Sequence, residues 1–113
     1  MGRENTDDKM MDPEEHEMGT NVVAQQTGTD DSDAAQRIRG MRERIDEIDN
    51  AIIALWQERA ALSQQVGATR VASGGTRLVL SREREILERF RDALGADGTQ
   101  LALLILRAGR GAL

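Results

Sequence analysis

One apolar series, spaced like the buried face of a helix, limits what this chain can fold into. Its members follow one another at alternating steps of three and four residues: Ile38, Met41, Ile45, Ile48, Ile52, Leu55, Leu62 and Val66. This spacing, in a stretch without proline, predicts one helix over residues 35–70. Such a helix is roughly 50 Å long, which is too long for a compact three-helix monomer of this size. We call this series the apolar seam.

Glycine-rich breaks follow the long helix and predict a second one. The Ser73-Gly74-Gly75 cluster is typical of a loop. Ser81 is a suitable N-cap for a helix over residues 81–94, which carries an apolar stripe interrupted by Glu83.

A third helix is predicted over residues 100–109, after a break at residues 95–98. Asp97 or Thr99 would cap it, and because it is apolar on nearly every side we expect it to be buried. Three helices of which one is overlong cannot close a core alone. The predicted fold is therefore all-α, with three helices per chain, one very long N-terminal helix, and an intertwined homodimer.

The charge of −5 over 113 residues hides two different parts. Residues 1–34 contain ten acidic and two basic residues and no Leu, Ile or aromatic residue, so we interpret them as a disordered acidic extension. It is either an interaction arm or a dispensable addition. Residues 35–113 contain ten acidic and thirteen basic residues and form the predicted helical domain.

Several classes of protein are disfavoured by the same sequence. No cysteine is present, and His16 is the single histidine, so we expect no disulfide and no metal site. No apolar run reaches the ~18 residues that span a bilayer, and no signal peptide is visible, so we expect a cytoplasmic protein that binds no membrane. A net charge of only +3 in the second part, with few aromatic residues, argues against nucleic-acid binding.

Arg59 occupies a position of the apolar seam where the pattern predicts a core residue. Arg70 follows eleven residues later, about three helical turns, and points the same way. No acidic residue lies three or four positions from either arginine, so neither can be paired within its helix. Each could pair with another element, Glu83 being a candidate, but two arginines on one face favour an anion site.

Two further arginines lie near this face. Arg42 is roughly 25 Å before Arg59 along the helix, so it could reach the same site only from a second, antiparallel chain. A surface pair between Arg42 and Asp46 is the simpler alternative. Arg82 lies in the first turn of the second helix, where free N–H groups favour an anion, although a solvated arginine is equally compatible with the pattern.

Together these residues predict a cavity between helices, lined by arginines and by Glu83, with no nucleophile and no metal. Guanidinium groups bind carboxylates in a bidentate manner. The cavity therefore suits a small molecule with two carboxylates and a hydroxyl, and any catalysis would come from positioning and electrostatics.

Two stretches, "MRERIDEIDNAIIALWQERAALSQQVGATR" and "SREREILERF", resemble the all-helical AroQ class of chorismate mutases. The resemblance covers about residues 38–113. The segments "ASGGTRLV" and "LILRAGRGAL" are similar to a short subclass that works in complex with DAHP synthase, the first enzyme of the shikimate pathway. The resemblance to the AroQ class implies an intertwined dimer that rearranges chorismate to prephenate without a cofactor or covalent intermediate.

The resemblance also implies roles for individual residues. Arg59, with Arg42 of the other chain, would bind the substrate carboxylates. Arg70 would contact the ether oxygen, where charge develops as the bond breaks. Glu83 would hold the substrate hydroxyl and Arg82 would support the site.

The sequence departs from the family at two places. Val79 stands where many relatives have an aspartate near the hydroxyl. The serine and glutamine of the third helix would fall near Gly109 and Leu113, where no glutamine is available. We therefore expect modest activity alone and a gain when DAHP synthase binds through the C-terminal segment.

Two alternative functions remain at this point. An isochorismate pyruvate lyase uses the same fold, but tends to have lysine at the Arg70 position. A non-catalytic helical adaptor would explain the apolar seam, but not the arginines within it.

Overall fold

The computed structural model of the chain describes residues 22–110. In this part the chain contains a short helical stretch over residues 22–27, no strand, and three long helices: α1 (Ser32–Ala72), α2 (Leu80–Leu94) and α3 (Ala96–Arg110). The predicted all-α class with one very long N-terminal helix is confirmed. The chain divides into two compact units, Met1–Ile48 and Asp49–Leu113.

In the first unit, helical structure is present from residue 22 onward. Thr27 and Ala35 are buried, and the Thr27 hydroxyl donates to the Val23 carbonyl over 2.7 Å. The Asp31 carboxylate accepts the Ala34 N–H over 3.0 Å, which satisfies one of the free donors at the start of α1. Residues 22–34 therefore include a short helical stretch and the start of α1, and the division at residue 34 stays a prediction. Residues 1–21 lie outside the described part of the chain.

The core of the second unit lies between α2 and α3. It is formed by Ile86 with Ala102 and Leu106, and Leu87 and Phe90 pack against it. The helices approach closely at Gly98, where a Cβ would lie only 2.0 Å from the Phe90 carbonyl oxygen. Small residues on α3 therefore let its backbone reach α2.

The corner between α2 and α3 is tighter than the predicted four-residue break. Gly95 alone turns the chain, at φ +74°, a conformation that an L side chain rarely adopts. α3 then begins at Ala96, so the prediction that Asp97 or Thr99 precedes it as a cap is wrong. Both residues lie in the first turn of the helix, because Gly98 has to be helical to pack against Phe90.

The start of α2 also differs from the prediction. Its N-cap is Val79, whose side chain makes no capping hydrogen bond, and Ser81 already lies inside the helix. The carbonyl of Val79 accepts the N–H groups of Arg82 and Glu83 at 3.1 and 3.2 Å. The helix therefore begins where the extended backbone of Val79 ends, at φ −121° and ψ 101°. A serine hydroxyl does not set this boundary.

Large apolar side chains are exposed on α1 in each unit. Met41, Ile45 and Ile48 are exposed in the first unit, and the second unit adds further members of the seam: Ile52, Leu55, Leu62 and Val66. α3 is buried on one face only, because Leu101, Leu103 and Leu104 are exposed. The expectation of a fully buried third helix is therefore not met within one chain.

Residues 22–110 include no helix that is long and apolar enough to cross a membrane. The same part of the chain holds no group of three or more histidine, cysteine or acidic residues that could bind a metal ion.

Candidate active site

A cleft of about 880 Å³ opens in the second unit, between the C-terminal half of α1, the loop that follows it, and α2 and α3. Five arginines and one glutamate line it: Arg59, Arg70, Arg77, Arg82, Arg110 and Glu83. The rest of its wall is largely apolar and includes Leu62, Val66, Leu78, Val79, Ile86 and Leu106. A formal excess of four positive charges in a partly apolar cleft favours a small anion with an apolar body.

Arg70 supplies the least satisfied polar group of the cleft. Its Nε and Nη1 atoms are shielded from solvent and have no hydrogen-bond partner within residues 22–110. Arg70 lies in the last turn of α1, and its carbonyl accepts the N–H of Gly75, in the loop that follows, over 2.7 Å. Buried donors are normally paired, so these two N–H groups are available for an acceptor that enters the cleft.

Arg59 lies in the same wall, where its charge is unfavourable. Burial lowers the pKa of Arg59 from its ordinary value, and the positive charges of Arg82 and Arg89 lower it further. A bound anion would relieve this repulsion. The alternative prediction, an ion pair between Glu83 and Arg59 or Arg70, is not observed in the structure.

Glu83 is instead paired with Arg110, in the last turn of α3. The Arg110 Nε donates to Glu83 Oε2 over 3.2 Å, and Nη2 donates to Oε1. The Glu83 and Arg110 side chains are 16% and 27% exposed, so both are largely shielded from water. The hydrogen bond to Glu83 raises the pKa of Arg110. This bidentate pair joins α2 to α3 at the edge of the cleft.

The end of α3 is held against α1 at two points. A Cβ at Gly109 would lie 2.6 Å from the Ser63 hydroxyl oxygen and 2.8 Å from its Cβ, so the two backbones meet at small residues. The next residue of α1 is Gln64, whose amide donates to the Ala108 carbonyl over 3.2 Å. The two residues that precede Arg110 are therefore held against α1.

Arg82 and Val79 lie at the entrance to α2. Arg82 lines the cleft but also forms a 2.8 Å ion pair with Glu85, and both side chains are more than half exposed. Hydrogen bonding to Arg82 and its charge lower the pKa of Glu85. Val79 lines the cleft with an apolar surface, and it is 37% exposed.

Arg42 belongs to the first unit. There its Nη1 donates to the Gln26 carbonyl, which lies on the short helical stretch before α1. The alternative surface pair with Asp46 is not formed. The structure therefore brings together Arg59, Arg70, Arg82, Glu83 and Val79, and leaves Arg42 outside that group.

Sequence reasoning missed Arg110, and it assigned no role to Arg77. The signal for Arg110 was weak: a basic residue in the last turn of a helix is common because it complements the helix dipole. Only the crossing of α2 and α3 places it against Glu83.

The arrangement can bind and polarise an anion, and among the described residues its lining holds no cysteine, lysine or histidine and one acidic residue, Glu83. Arginines that stay charged at all working pH values can hold carboxylates and stabilise negative charge that develops in a transition state. The carboxylate of Glu83 can accept a hydroxyl proton in a hydrogen bond.

Comparison with known families gives one consistent match. The family model described as chorismate mutase type II matches residues 41–104 of this chain. That range contains α2, most of α3 and most of α1, with all but one of the arginines of the cleft.

Individual relatives agree with the family match. The chain is 46% identical over 81 residues to the intracellular chorismate mutase of Mycolicibacterium smegmatis, covering 72% of this chain and 78% of that protein. It is 44% identical over 83 residues to the intracellular chorismate mutase of Mycobacterium tuberculosis, covering 74% and 78%.

A solved structure is similar as well. It is a non-covalent complex of DAHP synthase and chorismate mutase from Corynebacterium glutamicum with a bound transition-state analogue. One of its chains is 45% identical to this chain, with a TM-score of 0.66, covering 73% of this chain and 96% of that one.

Proposed function

This chain belongs to the type II chorismate mutase family and is a chorismate mutase, an isomerase, and we propose that the cleft described above is its active site. The reaction rearranges chorismate to prephenate within one molecule, so it needs an oriented substrate and stabilised charge rather than a nucleophile. A cationic cleft with one carboxylate fits both requirements.

The observation that carries the assignment is the state of Arg70. Its Nε and Nη1 donors are buried and have no acceptor in the described part of the chain, an arrangement that costs free energy. They become favourable if the ether oxygen of the substrate accepts from them as the bond breaks and negative charge develops. The interaction is then stronger in the transition state than with bound substrate, which is the condition for a rate increase.

The other proposed roles follow from the same geometry. Arg59, whose charge is unfavourable beside Arg82 and Arg89, would bind a substrate carboxylate. Glu83 would accept the hydrogen bond of the substrate hydroxyl, and Arg82 would extend the positive field at the entrance. Val79 would contact the substrate with an apolar surface at the start of α2.

The test of the activity is the disappearance of chorismate with prephenate identified as the product. Isochorismate, supplied in parallel, addresses the pyruvate lyase alternative, which the comparisons do not favour. Turnover of chorismate and not of isochorismate is expected. Release of pyruvate from isochorismate as the faster reaction would contradict the proposal.

We also propose that the protein is an intertwined homodimer in which Arg42 of one subunit completes the site of the other. The support is the apolar seam, whose residues are exposed in each unit of the single chain: Met41 at 59%, Ile52 at 57%, Leu55 at 63% and Leu62 at 53%. Exposed apolar area of this extent along one helix is typical of an interface between subunits.

A mixing experiment tests this shared site directly. Arg42→Ala and Arg70→Ala subunits, each inactive alone, are unfolded together and refolded. Half of the dimers formed at random are heterodimers, and in each of these one of the two sites keeps both arginines. The mixture should therefore recover about a quarter of the wild-type activity. If mixing restores nothing while the heterodimer is shown to form, Arg42 and Arg70 do not serve one site across subunits.

The similarity to a chain of a DAHP synthase complex supports a further proposal about partners. We expect a DAHP synthase from the same cell to bind the C-terminal segment and increase turnover. Leu113 lies outside the described residues, so the support comes from the relative. Titrating the synthase at fixed chorismate should raise kcat/KM, whereas a truncated chain ending at residue 110 should not respond. An equal response of both proteins would exclude the C-terminal segment.

The cellular location is a smaller proposal of the same kind. Both mycobacterial relatives are named intracellular, which supports a cytoplasmic site of action for this chain. Fractionation of the producing cell tests it.

A further inference from the structure

We propose that Arg110 is a positioning residue of this mutase, which holds the Glu83 carboxylate in the orientation that receives the substrate hydroxyl. The inference rests on the proposed role of Glu83 and adds a residue from α3 to the site.

The contact itself fixes the carboxylate. The guanidinium of Arg110 donates from Nε to Oε2 and from Nη2 to Oε1, so the two planar groups face each other as a fork. A bidentate pair of this kind allows little rotation of either group. Each carboxylate oxygen has a second lone pair, so Glu83 can still accept a hydrogen bond from a ligand.

The backbone that carries the Arg110 side chain is also held in place. Gly109 packs against Ser63 without room for a Cβ, and Gln64 binds the Ala108 carbonyl. The backbone just before Arg110 is therefore held against α1, while its side chain reaches α2. Through this path all three helices determine where the Glu83 carboxylate lies.

Charge gives the pair a second role. Arg59, Arg70 and Arg82 line the same cleft as Glu83, and a carboxylate without a fixed partner would be attracted to them. Pairing with Arg70 would occupy the two N–H groups that the substrate needs. Arg110 prevents this by engaging both oxygens of Glu83 on the side of α3.

The expected effect follows from the loss of orientation. Arg110→Ala should lower kcat by about 10- to 100-fold, because misplacement of a group by about 1 Å has effects of this size. Arg110→Lys keeps the charge on a single nitrogen in place of the planar fork, and it should recover part of the loss. Arg107→Ala is the matched control, since Arg107 lies in the same turn of α3 but is exposed and outside the cleft. It should leave kcat unchanged.

A double-mutant cycle distinguishes positioning from a general effect on the fold. The activity of full-length wild-type, Arg110→Ala, Glu83→Ala and doubly substituted protein is compared. If Arg110 acts through Glu83, its removal should change kcat/KM by less than about twofold once Glu83 is absent. Purely structural damage would instead multiply the two losses.

Three results would overturn the inference. The first is a loss of the same size for Arg110→Ala in both backgrounds. The second is an Arg110→Ala protein as active as the wild type, and the third is a more active one, which would mean that the pair blocks Glu83. If Arg110→Ala does not fold, Arg110→Gln is tested in the same cycle. Failure of the proposed function is separate: Glu83→Ala alone would then retain full activity.

Discussion

Replacing Arg70 by methionine should make the protein more stable and catalytically inactive at the same time. The buried Nε and Nη1 groups have no acceptor in the described chain. A buried donor without a partner costs about 1–3 kcal/mol. Methionine keeps an unbranched stem and removes both donors. Because the whole residue is only partly buried, we expect the lower end of the combined range, a gain of about 2 kcal/mol in the free energy of unfolding.

The catalytic effect should have the opposite sign. Removing one preorganised donor that stabilises developing negative charge costs about 10²- to 10³-fold in kcat in other enzymes. Arg70 offers two buried N–H groups and a full charge. We therefore expect a loss of about 10³-fold or more, which corresponds to about 4 kcal/mol of transition-state stabilisation.

Both quantities can be measured on the same preparation. Urea unfolding gives the stability, at one fixed subunit concentration because association with a second subunit contributes to it. Chorismate consumption gives kcat. Arg84→Met is the matched control: Arg84 is an exposed arginine of α2 outside the cleft, so neither quantity should change appreciably.

One outcome would refute the reasoning. If Arg70→Met lowers the free energy of unfolding by 1 kcal/mol or more relative to Arg84→Met (~1 kcal/mol being a typical hydrogen-bond contribution), Arg70 has a structural partner. The unpaired donors would then not be reserved for a ligand. An inactive but more stable protein is the pattern of a site that trades stability for function.

Three other predictions follow from the same structure. Arg59→Leu should abolish turnover but keep the helical fold and the oligomeric state seen by light scattering, because it removes a charge disfavoured by burial and by Arg82. Gly98→Ala should lower the free energy of unfolding by about 3 kcal/mol, because the added Cβ would overlap the Phe90 carbonyl. Gly40→Ala should raise the free energy of unfolding by about 0.5–1 kcal/mol, because a Cβ there would meet open space. Equal effects at the two glycines in urea unfolding would contradict this. Raising the salt concentration should increase KM more than it changes kcat, because mobile ions screen the attraction between the arginines and a dicarboxylate.

The candidate site was predictable to the extent that its residues break a pattern. Arg59 stands out because a charged residue interrupts the apolar seam, and Glu83 stands out on the stripe of α2 for the same reason. Arg70 follows from helical geometry, eleven residues after Arg59. All three line the cleft. Their proposed roles came from resemblance to a family and not from spacing.

The helix ends were predicted less well than the helices themselves. Ser81 was an incorrect N-cap for α2, and α3 begins before Asp97 and Thr99. A capping preference is a local effect of about 1 kcal/mol, and it is overridden when packing demands another boundary. The close approach of Gly98 to Phe90 is a packing constraint of this kind, and a single sequence does not reveal it.

By itself, the sequence determines the all-α fold class of this protein. A proline-free apolar seam with a period near 3.5 predicts a long helix whose apolar face packs against another helix. The sequence also predicts a site built from arginines, and Arg59, Arg70 and Arg82 do line one cleft. Only the tertiary structure decides that Glu83 is paired with Arg110, while Arg70 has two buried donor atoms without an acceptor among the residues that the structure describes. The physical reason is that ion pairs between helices depend on crossing distances of a few ångströms, which no periodicity along one chain encodes.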